Sequence, residues 1–460
     1  MNRGASGRRM AGAVLVAIAA LLSGLAWPTG EARPDHRPNV IVVLTDDERW
    51  DGFDAMPYLS GELARNDSGW ETFPDMFANT PLCCPARASL LTGRYAHHTG
   101  VQDNDDGGNL DESSTLATWL HAAGYHTGLI GKYLNGYPFG RLPYVPPGWD
   151  RFVGKRNQSG VTVYRDFRAV DQGTPLFVHE YATDWLAEKA LGFVRTAPTT
   201  RPFFLLFAPS APHPPWIPAR RHRGADADLT IAEPPNVVGA LRGAPPWVEA
   251  RPVPSAAQRA AWIEDQRRAD ETLLAVDEAL HAIVESLGDR LDDTYIFVLS
   301  DNGYSFGEHR WGGKKCPYEA CVRIPLAIHI PSGARTTLGA VSIVDLAPTI
   351  ASLARVIPPT SIDGTGFASY LTPRPGLMTP PAEAVFLEWV GDAQIPAWTA
   401  VRTSAFKLIR YEDGFEELYD IAGRVGPPDP WEMDNRVADP RYGGVLARLR
   451  RLLGRYERRG

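Results

Sequence analysis

Three apolar runs stand out along the chain. Val40–Leu44, Phe203–Phe207 and Tyr295–Leu299 are continuous rather than alternating, and polar residues follow each of them. A continuous run rich in β-branched and aromatic residues predicts a strand that is buried on both faces, as in the centre of a parallel sheet. The chain therefore contains at least three candidate central strands.

Helical patterns lie between these runs. Residues Ser114–Ala123, with Ser113 or Ser114 as the cap, and the long segment Ser255–Leu287 are predicted to be helices. Strands that alternate with helices predict an α/β fold, in which ligand sites gather at the carboxyl ends of the strands. The residues that follow each strand are therefore the first candidates for chemistry.

The C-terminal part of the chain has a different pattern. Proline and glycine concentrate at residues 372–382, which predicts a linker. Beyond it, residues 384–389, 399–402 and 407–411 predict short strands, and a terminal helix is expected to begin near Gly444. We predict a large domain over residues 37–375 and a smaller, β-rich C-terminal domain with a terminal helix over residues 383–460.

The N-terminus has the layout of an export signal. Arg3, Arg8 and Arg9 precede an apolar run from Met10 to Trp27, and small residues follow. We assign residues 1–32 to a secretion signal and expect a secreted, periplasmic or extracellular protein. The alternative is an uncleaved membrane anchor, but a short run rich in alanine and glycine disfavours stable membrane insertion.

Composition narrows the function classes only slightly. The 460 residues are 44% hydrophobic and 22% charged, which is typical of a globular protein. A net charge of −7 provides no field that would attract a polyanion, so we expect no nucleic-acid partner. The cysteines fall in two local pairs, Cys83/Cys84 and Cys316/Cys321, of which the second is able to form a bridge.

Hard oxygen-bearing side chains follow two of the predicted strands. Asp46 and Asp47 come after the first strand, and Asp301 and Asn302 after the strand at Tyr295–Leu299. At the same edge of a parallel sheet, such side chains suit a calcium or magnesium ion. Each pair taken alone is better explained as a loop start, a helix cap or a turn.

The segment Cys83–Arg94 supports a functional role for these acids. Pro85 suits the first position of a helix, so Cys83 is predicted just before a helix N-terminus, where backbone N–H groups favour an anion such as a sulfate ester. Arg87 would direct its guanidinium at ligand oxygens or at the nucleophile. The alternatives are a buried thiol pair, a metal–thiolate site and a cysteine-protease nucleophile, none of which explains the hard-oxygen cluster.

This segment, CCPARASLLTGR, resembles the C-x-P-x-R signature of the type I sulfatases, members of the alkaline-phosphatase-like superfamily. The resemblance implies that Cys83, rather than Cys84, is converted by a formylglycine-generating enzyme to formylglycine, whose hydrated aldehyde is the nucleophile. It also implies a large mixed, mostly parallel sheet sandwiched by helices, with a smaller C-terminal β-rich domain. Asp46, Asp47, Cys83, Asp301 and Asn302 would bind the metal, and the family favours Ca²⁺, with Mg²⁺ as the alternative.

Further blocks extend the resemblance along the chain. Gly131-Lys132 is similar to the family's G-K block, which implies that Lys132 contacts the substrate sulfate. Lys314, four residues before Tyr318, is placed like the sulfate-binding lysine, and the block around His213 is similar to the family's histidine block. Either His213 or Lys314 would then protonate the leaving oxygen. His309 could line the site or be structural.

One position departs from the family pattern. Many members read G-K-W-H, and that histidine is commonly assigned the deprotonation of the formylglycine hydroxyl, whereas Leu134 stands there in this chain. The group that acts as base is therefore open. The spelling most resembles the N-acetylglucosamine-6-sulfatase branch, which implies a sulfated carbohydrate or an aryl sulfate as substrate. The rival hypotheses are a phosphate or phosphonate ester hydrolase with the same fold and a non-catalytic sulfated-glycan binder.

Overall fold

The computed structural model describes residues 36–156, 162–227, 230–331, 333, 338–359, 361–372 and 382–458. The proposed signal over residues 1–32 and most of the predicted linker therefore lie outside the described residues. In chain order, the strands are β1 (Asn39–Thr45), β2 (Trp70–Thr72), β3 (Met76–Phe77), β4 (His126–Gly131), β5 (Arg151–Lys155), β6 (Phe167–Asp171), β7 (Thr174–Val178), β8 (Phe203–Ala208), β9 (Thr294–Ser300), β10 (Ser305–Phe306), β11 (Gly312–Gly313), β12 (Arg323–Ile324), β13 (Leu326–His329), β14 (Val341–Ser342), β15 (Val385–Trp389), β16 (Trp398–Arg402), β17 (Phe406–Tyr411) and β18 (Glu416–Asp420).

The helices lie between and around these strands. In the same order they are α1 (Pro57–Ala64), α2 (Cys83–Thr92), α3 (Ala96–Thr99), α4 (Leu116–Ala122), α5 (Ala182–Thr196), α6 (Pro246–Glu249), α7 (Ala256–Leu287), α8 (Glu319–Val322), α9 (Leu346–Leu353) and α10 (Gly443–Glu457). None of the helices in the described part of the chain is long and apolar enough to span a bilayer.

The main sheet is mixed, with a parallel centre. Within the described residues it has nine strands in the order β2-β13-β9-β1-β8-β4-β5-β6-β7. The central strands β9, β1, β8, β4 and β5 run parallel, whereas antiparallel strands extend both edges. The three apolar runs of the sequence form β1, β8 and β9, so the prediction of buried central strands is confirmed.

Both faces of the sheet are covered by helices. Along β1, Val40 and Val42 pack on the side that carries α2, α4 and α9, while Ile41 and Val43 pack on the side that carries α5 and α7. Side chains of a strand point alternately to the two faces, so a strand between two layers must be apolar at every position. This α/β sandwich agrees with the predicted fold class.

The helix predictions hold with one shift. The segment predicted at Ser255–Leu287 forms α7, and Ser255 Oγ caps it by accepting a hydrogen bond from the backbone of Gln258 at 3.2 Å. The other helix, α4, is capped by Thr115 rather than by Ser113 or Ser114. Thr115 and Thr118 exchange side-chain to backbone hydrogen bonds, a reciprocal cap that the serines are one or two residues too early to make.

The C-terminal residues form a sheet of their own. Strands β15 to β18 are antiparallel neighbours in sequence order, and α10 packs against them. The sequence prediction missed β18 as a strand and located the other three to within one residue. Cys316 and Cys321 form a disulfide, so the bridge that the spacing allowed is present. The domain boundaries at residues 37–375 and 383–460 remain a prediction.

Candidate active site

The carboxyl ends of β1 and β9 bring the predicted metal ligands together. These strands pair in parallel along their whole length, so the residues that follow them leave the sheet side by side. The backbone N–H of Asp47 donates to Asp301 Oδ1 at 3.1 Å, and Asn302 Nδ2 donates to Asp47 Oδ1 at 2.7 Å. Asp46, Asp47, Asp301 and Asn302 are all buried. The structure thus places all four side chains in one cluster.

Helix α2 delivers the candidate nucleophile to this cluster. The helix begins at Cys83, with Leu82 as the extended residue before it, and Pro85 lies within the first turn. The prediction that Pro85 starts the helix was wrong by two residues. The N–H groups in the first turn of a helix have no carbonyl acceptor within the helix. A proline, which has no N–H, therefore costs no hydrogen bond at the position of Pro85.

Cys83 is surrounded by charged groups. Its Sγ lies 2.7 Å from Lys314 Nζ, 3.4 Å from Asp46 Oδ1 and 3.7 Å from Asp47 Oδ1. The side chain is fully buried, and this burial raises the pKa of the Cys83 thiol well above its ordinary value. The thiol is therefore protonated at neutral pH, unlike the thiolate of an activated cysteine nucleophile.

Cys84 has different surroundings. It lies in the apolar core on the α2 side of the sheet, and its Sγ is 3.1 Å from the position that a Cβ on Gly107 would take. Its backbone N–H donates to Asn104 Oδ1 at 3.0 Å. The geometry therefore directs Cys83 to the charged cluster and Cys84 to the core, in agreement with the resemblance to the C-x-P-x-R signature, which selected Cys83.

Arg87 lies one turn after Cys83 and reaches the same cluster. Its Nε donates to Asp301 Oδ2 at 2.7 Å and its Nη1 donates to the carbonyl of Lys132 at 2.8 Å. Its Nη2 is buried without a hydrogen-bond partner among the described residues. Two of the guanidinium nitrogens thus fix the side chain, and the third is left to donate to a ligand.

The two predicted lysines each hold one aspartate. Lys132 Nζ donates to both carboxylate oxygens of Asp46, at 2.9 and 2.7 Å. Lys314 Nζ donates to both oxygens of Asp47, at 2.8 and 3.0 Å. Burial acts to raise the pKa of each aspartate, but the adjacent lysine, His213 and the other cations of the site together outweigh it, so both carboxyl groups have a pKa below the ordinary value. All four side chains are therefore charged.

His213 completes the ring of predicted residues. Its Nε2 lies 3.6 Å from Asp47 Oδ2, and its Nδ1 is 2.7 Å from the carbonyl of Pro214. A carbonyl only accepts hydrogen bonds, so Nδ1 carries the proton and Nε2 of the neutral ring faces the site. Burial lowers the pKa of His213, which favours that neutral ring.

The donor set fits a hard cation. Asp46, Asp47, Cys83 and His213 offer ligand atoms that all lie within 4.8 Å of one another. In addition, Asn302 Oδ1 is buried and accepts no hydrogen bond from the described residues. Carboxylate and amide oxygens in this number suit calcium or magnesium better than a thiophilic ion.

Two positions singled out by the sequence lie elsewhere. Leu134 packs in the apolar core on the α2 side of the sheet, so no base occupies that position. His309 is buried with its ring stacked on Tyr318 at 3.4 Å between centroids, and its Nε2 contacts the carbonyl of Glu432 at 2.9 Å. His309 is therefore structural and does not line the site.

One buried lysine close to this cluster was missed by the sequence interpretation. Lys155 is the last residue of β5, next to β4. Burial lowers its pKa to about 7, and Asp46 and Lys132 have smaller, opposite effects on it. The sequence contains a signal for it, because a Gly-Lys pair occurs at the end of both strands: Gly131 ends β4 and Lys132 follows, while Gly154 and Lys155 end β5. Strand β5 was not among the predicted strands, so Lys155 was not recognised as the equivalent of Lys132.

Comparison with known families decides the classification. The Sulfatase family matches residues 38–356, and the family described as N-sulphoglucosamine sulphohydrolase, C-terminal, matches residues 307–459. The first match covers well over half of the chain and includes every predicted site residue. The chain belongs to the sulfatase family. Sulfatases are sulfuric ester hydrolases, so the reaction class expected from the Cys83–Arg94 segment is confirmed.

Individual relatives of this sulfatase support the same classification. The chain is 28% identical to an N-acetylglucosamine-6-O-sulfatase of Bacteroides thetaiotaomicron, covering 96% of this chain and 89% of the relative. It is 30% identical to an arylsulfatase of Volvox carteri, over 95% of this chain and 77% of the relative. A solved structure of a protein in complex with its substrate, D-glucosamine-2-N,6-O-disulfate, superposes with a TM-score of 0.80 at 25% identity, covering 92% of this chain and 98% of that one.

Proposed function

We propose that this sulfatase removes a sulfate group from a sulfated sugar of the glucosamine-6-sulfate type, with a nucleophile made from Cys83. The observation that carries the proposal is the position of Cys83 Sγ among Lys314, Asp46 and Asp47. The sugar class is supported by the relative that acts on N-acetylglucosamine-6-sulfate and by the similar structure that holds a disulfated glucosamine.

The cationic side chains are suited to hold a sulfate ester. The group is an anion, so an attacking oxygen is repelled unless positive charge surrounds the sulfate oxygens. Arg87 Nη2 is buried and has no hydrogen-bond partner among the described residues. The ammonium group of Lys314 lies beside Cys83 Sγ, and that of Lys132 lies beside Asp46. In a buried site these interactions are strong because water does not screen them.

Cys83 is a poor nucleophile in its unmodified form. Its thiol is buried and protonated, and Sγ contacts Lys314 Nζ and the carboxylates of Asp46 and Asp47. Formylglycine formed from Cys83 would supply an oxygen nucleophile at this position. The polar surroundings fit a small oxygen-bearing group, since Lys314 Nζ is placed to donate a hydrogen bond to it.

The hard-oxygen cluster would hold the metal, which we propose to be Ca²⁺. Asp46, Asp47 and Asn302 would provide oxygen ligands together with the group at position 83, and Asp301, which is hydrogen-bonded to the backbone of Asp47, would be a further one. The ion would supply positive charge at the sulfate oxygens. In this structure Lys132 and Lys314 donate hydrogen bonds to the carboxylates of Asp46 and Asp47. When the metal binds these carboxylates, the two ammonium groups would stay beside the site and pair with the substrate.

Two groups are placed to give a proton to the departing sugar oxygen. Burial acts to lower the pKa of Lys314, but Asp47 and the other acidic groups around it together raise the pKa well above its ordinary value, so Lys314 donates hydrogen bonds at neutral pH. His213 presents Nε2 to the site, and its pKa is lowered by burial. We propose that the protonated form of His213 gives this proton from Nε2 and returns to the neutral ring, while Lys314 stays charged and orients the reacting oxygen.

The reaction is expected to take place outside the cytoplasm. The proposal rests on the N-terminal pattern of arginines, apolar residues and small residues, which suits an exported enzyme. Expression would then require a formylglycine-generating enzyme in the host, because the conversion of the Cys83 thiol to an aldehyde is an oxidation.

Sulfate release from matched substrates tests the proposal. The enzyme, produced together with a formylglycine-generating enzyme, is assayed on N-acetylglucosamine-6-sulfate, glucosamine-2-N,6-O-disulfate, 4-nitrophenyl sulfate and 4-nitrophenyl phosphate. We expect the 6-sulfated sugars to be turned over with the highest kcat/KM. A clear preference for the phosphate would contradict the proposal, as would binding of the sugars without turnover.

Mass spectrometry of the peptide that contains Cys83 tests the nucleophile separately. The aldehyde lowers the mass relative to the thiol, and the modified fraction should match the active fraction of the preparation. The neighbouring Cys84 is the internal control, because it is expected to remain a thiol. An active enzyme with an intact thiol at position 83 would refute the formylglycine assignment.

A further inference from the structure

Lys155 stands beside Lys132 at the carboxyl edge of the sheet. Strands β4 and β5 are parallel neighbours, and Gly131 pairs with Gly154. The residue after each of these glycines is a lysine: Lys132 directly follows β4, and Lys155 is the last residue of β5. Two buried lysines therefore occupy equivalent positions on adjacent strands.

The two lysines differ in their partners. Lys132 Nζ holds both carboxylate oxygens of Asp46. Lys155 is only 3% exposed, and no described residue accepts a hydrogen bond from its Nζ. Its Nζ lies over the ring of Phe167, 5.6 Å from the ring centroid. Among the described residues, the amine thus has a cation–π contact and no carboxylate at hydrogen-bond distance.

This arrangement is unfavourable for folding. A buried, charged amine without a hydrogen-bond acceptor lowers the free energy of unfolding, because its loss of hydration is not compensated. Desolvation lowers the pKa of Lys155 to about 7, with Asp46 acting to raise it and Lys132 acting to lower it further. A methionine would fill the same space beside Phe167 without this cost. Packing therefore does not explain the lysine.

We propose that Lys155 is a positioning residue for Lys132. The proposal rests on the sulfate-binding function proposed for Lys132. A second amine beside Lys132 opposes the approach of its ammonium group to Asp46 by like-charge repulsion. An arriving sulfate ester relieves that repulsion, so Lys132 is favoured in contact with the substrate rather than with Asp46.

The test is the substitution Lys155→Met, with inorganic sulfate as the probe. Isothermal titration calorimetry on the metal-loaded enzyme measures the Kd of sulfate, and steady-state assays separate KM from kcat. We expect the Kd of sulfate and the KM to rise about tenfold, the size of a screened interaction between neighbouring charges, with a smaller change in kcat. The Tm is expected to rise, because the unpartnered amine is removed.

The matched control is Lys189→Met on helix α5. Lys189 is partly exposed and pairs with Glu188, away from the sulfate-binding residues. We expect its sulfate Kd and Tm to stay close to those of the unmodified enzyme. A Tm that falls in Lys155→Met, or a sulfate Kd that matches this control, would overturn the proposal.

A double-mutant cycle shows whether Lys155 acts through Lys132. In a Lys132→Met background, Lys155→Met is expected to change the sulfate Kd less than twofold, because the group that it positions is absent. An equal loss of affinity in both backgrounds would overturn the positioning role. If Lys132→Met alone leaves sulfate binding intact, the function proposed for Lys132 fails instead, so the two failures are distinguishable.

Discussion

Lys314 Nζ lies 2.7 Å from Cys83 Sγ and 2.8 Å from Asp47 Oδ1. One ammonium group therefore joins the residue that starts α2 to an acid that follows β1. Burial lowers the pKa of Lys314, but Asp47 and the other aspartates of the site together outweigh it, so the group stays charged. Cys83, Lys314 and Asp47 must therefore be considered together, because a change at Cys83 removes one of the two hydrogen-bond partners of Lys314.

We predict that Cys83→Ala reduces turnover of sulfated sugars by at least about a thousandfold while the protein stays folded, because only the nucleophile is lost. The matched control is Cys84→Ala, whose thiol packs in the apolar core. That variant should keep its activity and lose about 1 kcal/mol of unfolding free energy through the small cavity. Sulfate release and Tm are measured for both variants. Equal activity losses in the two variants would contradict the assignment.

The sequence identified the elements with strong local patterns. The runs Val40–Leu44 and Phe203–Phe207 became central strands because every side chain is apolar, which only a strand covered on both faces requires. The edge hairpin β6–β7 was missed, since its residues mix exposed and buried positions without a clear alternation. Its pairing with β5 depends on long-range contacts that no local pattern encodes.

The site residues were predicted by family resemblance more than by pattern. Asp46 and Asp301 follow strands that proved to be neighbours, so the reasoning from strand ends was sufficient to bring them together. Lys314 follows no long strand, and only its similarity to a known block pointed to it. Lys155 escaped because the importance of its amine lies in a missing partner, which appears only when the surrounding side chains are placed.

Arg87→Lys is predicted to impair both folding and catalysis. A lysine cannot bond Asp301 and the Lys132 carbonyl at once and still donate to a ligand, as the three guanidinium nitrogens are placed to do. We expect kcat/KM to fall about a hundredfold, and the Tm to fall because Asp301 loses a buried partner. Arg94→Lys, at a half-buried arginine just beyond α2, is the control and should match the unmodified enzyme in both measurements.

Removal of the metal is predicted to lower both activity and Tm. The carboxylates of Asp46 and Asp47 and the unpartnered Oδ1 of Asn302 would lose their shared cation. A ligand present at a hundred times its Kd stabilises a protein by about 2.7 kcal/mol, so chelation should produce a measurable Tm shift. Calcium added after chelation should restore Tm and activity more fully than magnesium. Full activity in the chelated enzyme would refute the metal site.

His213→Gln is predicted to affect substrates according to their leaving groups. A sugar alkoxide is a poor leaving group and needs a proton, whereas 4-nitrophenolate leaves without one. If His213 provides the proton, kcat on 6-sulfated N-acetylglucosamine should fall about 10²–10³-fold, with a much smaller loss on 4-nitrophenyl sulfate. His309→Gln alters a buried structural histidine and should reduce stability without this selectivity. Equal losses on both substrates would assign the proton to another group, such as Lys314.

The stability gained in Lys155→Met is predicted to depend on pH. Desolvation lowers the pKa of Lys155 to about 7 in the folded protein, whereas a lysine in the unfolded chain has a pKa of about 10.4. Between these values the unfolded chain binds more protons, so through this group the stability of the unmodified protein rises with pH. Below about pH 7 the amine is charged in both states, and the cost of burying it is fully present. The Tm difference between Lys155→Met and the unmodified enzyme should therefore be largest near about pH 6 and should shrink towards about pH 10. Differential scanning fluorimetry across this range provides the measurement, with Lys189→Met as the control whose Tm difference stays constant. A Tm difference for Lys155→Met that is flat, or that grows with pH, would show that the Lys155 amine is not buried in a destabilised charged form.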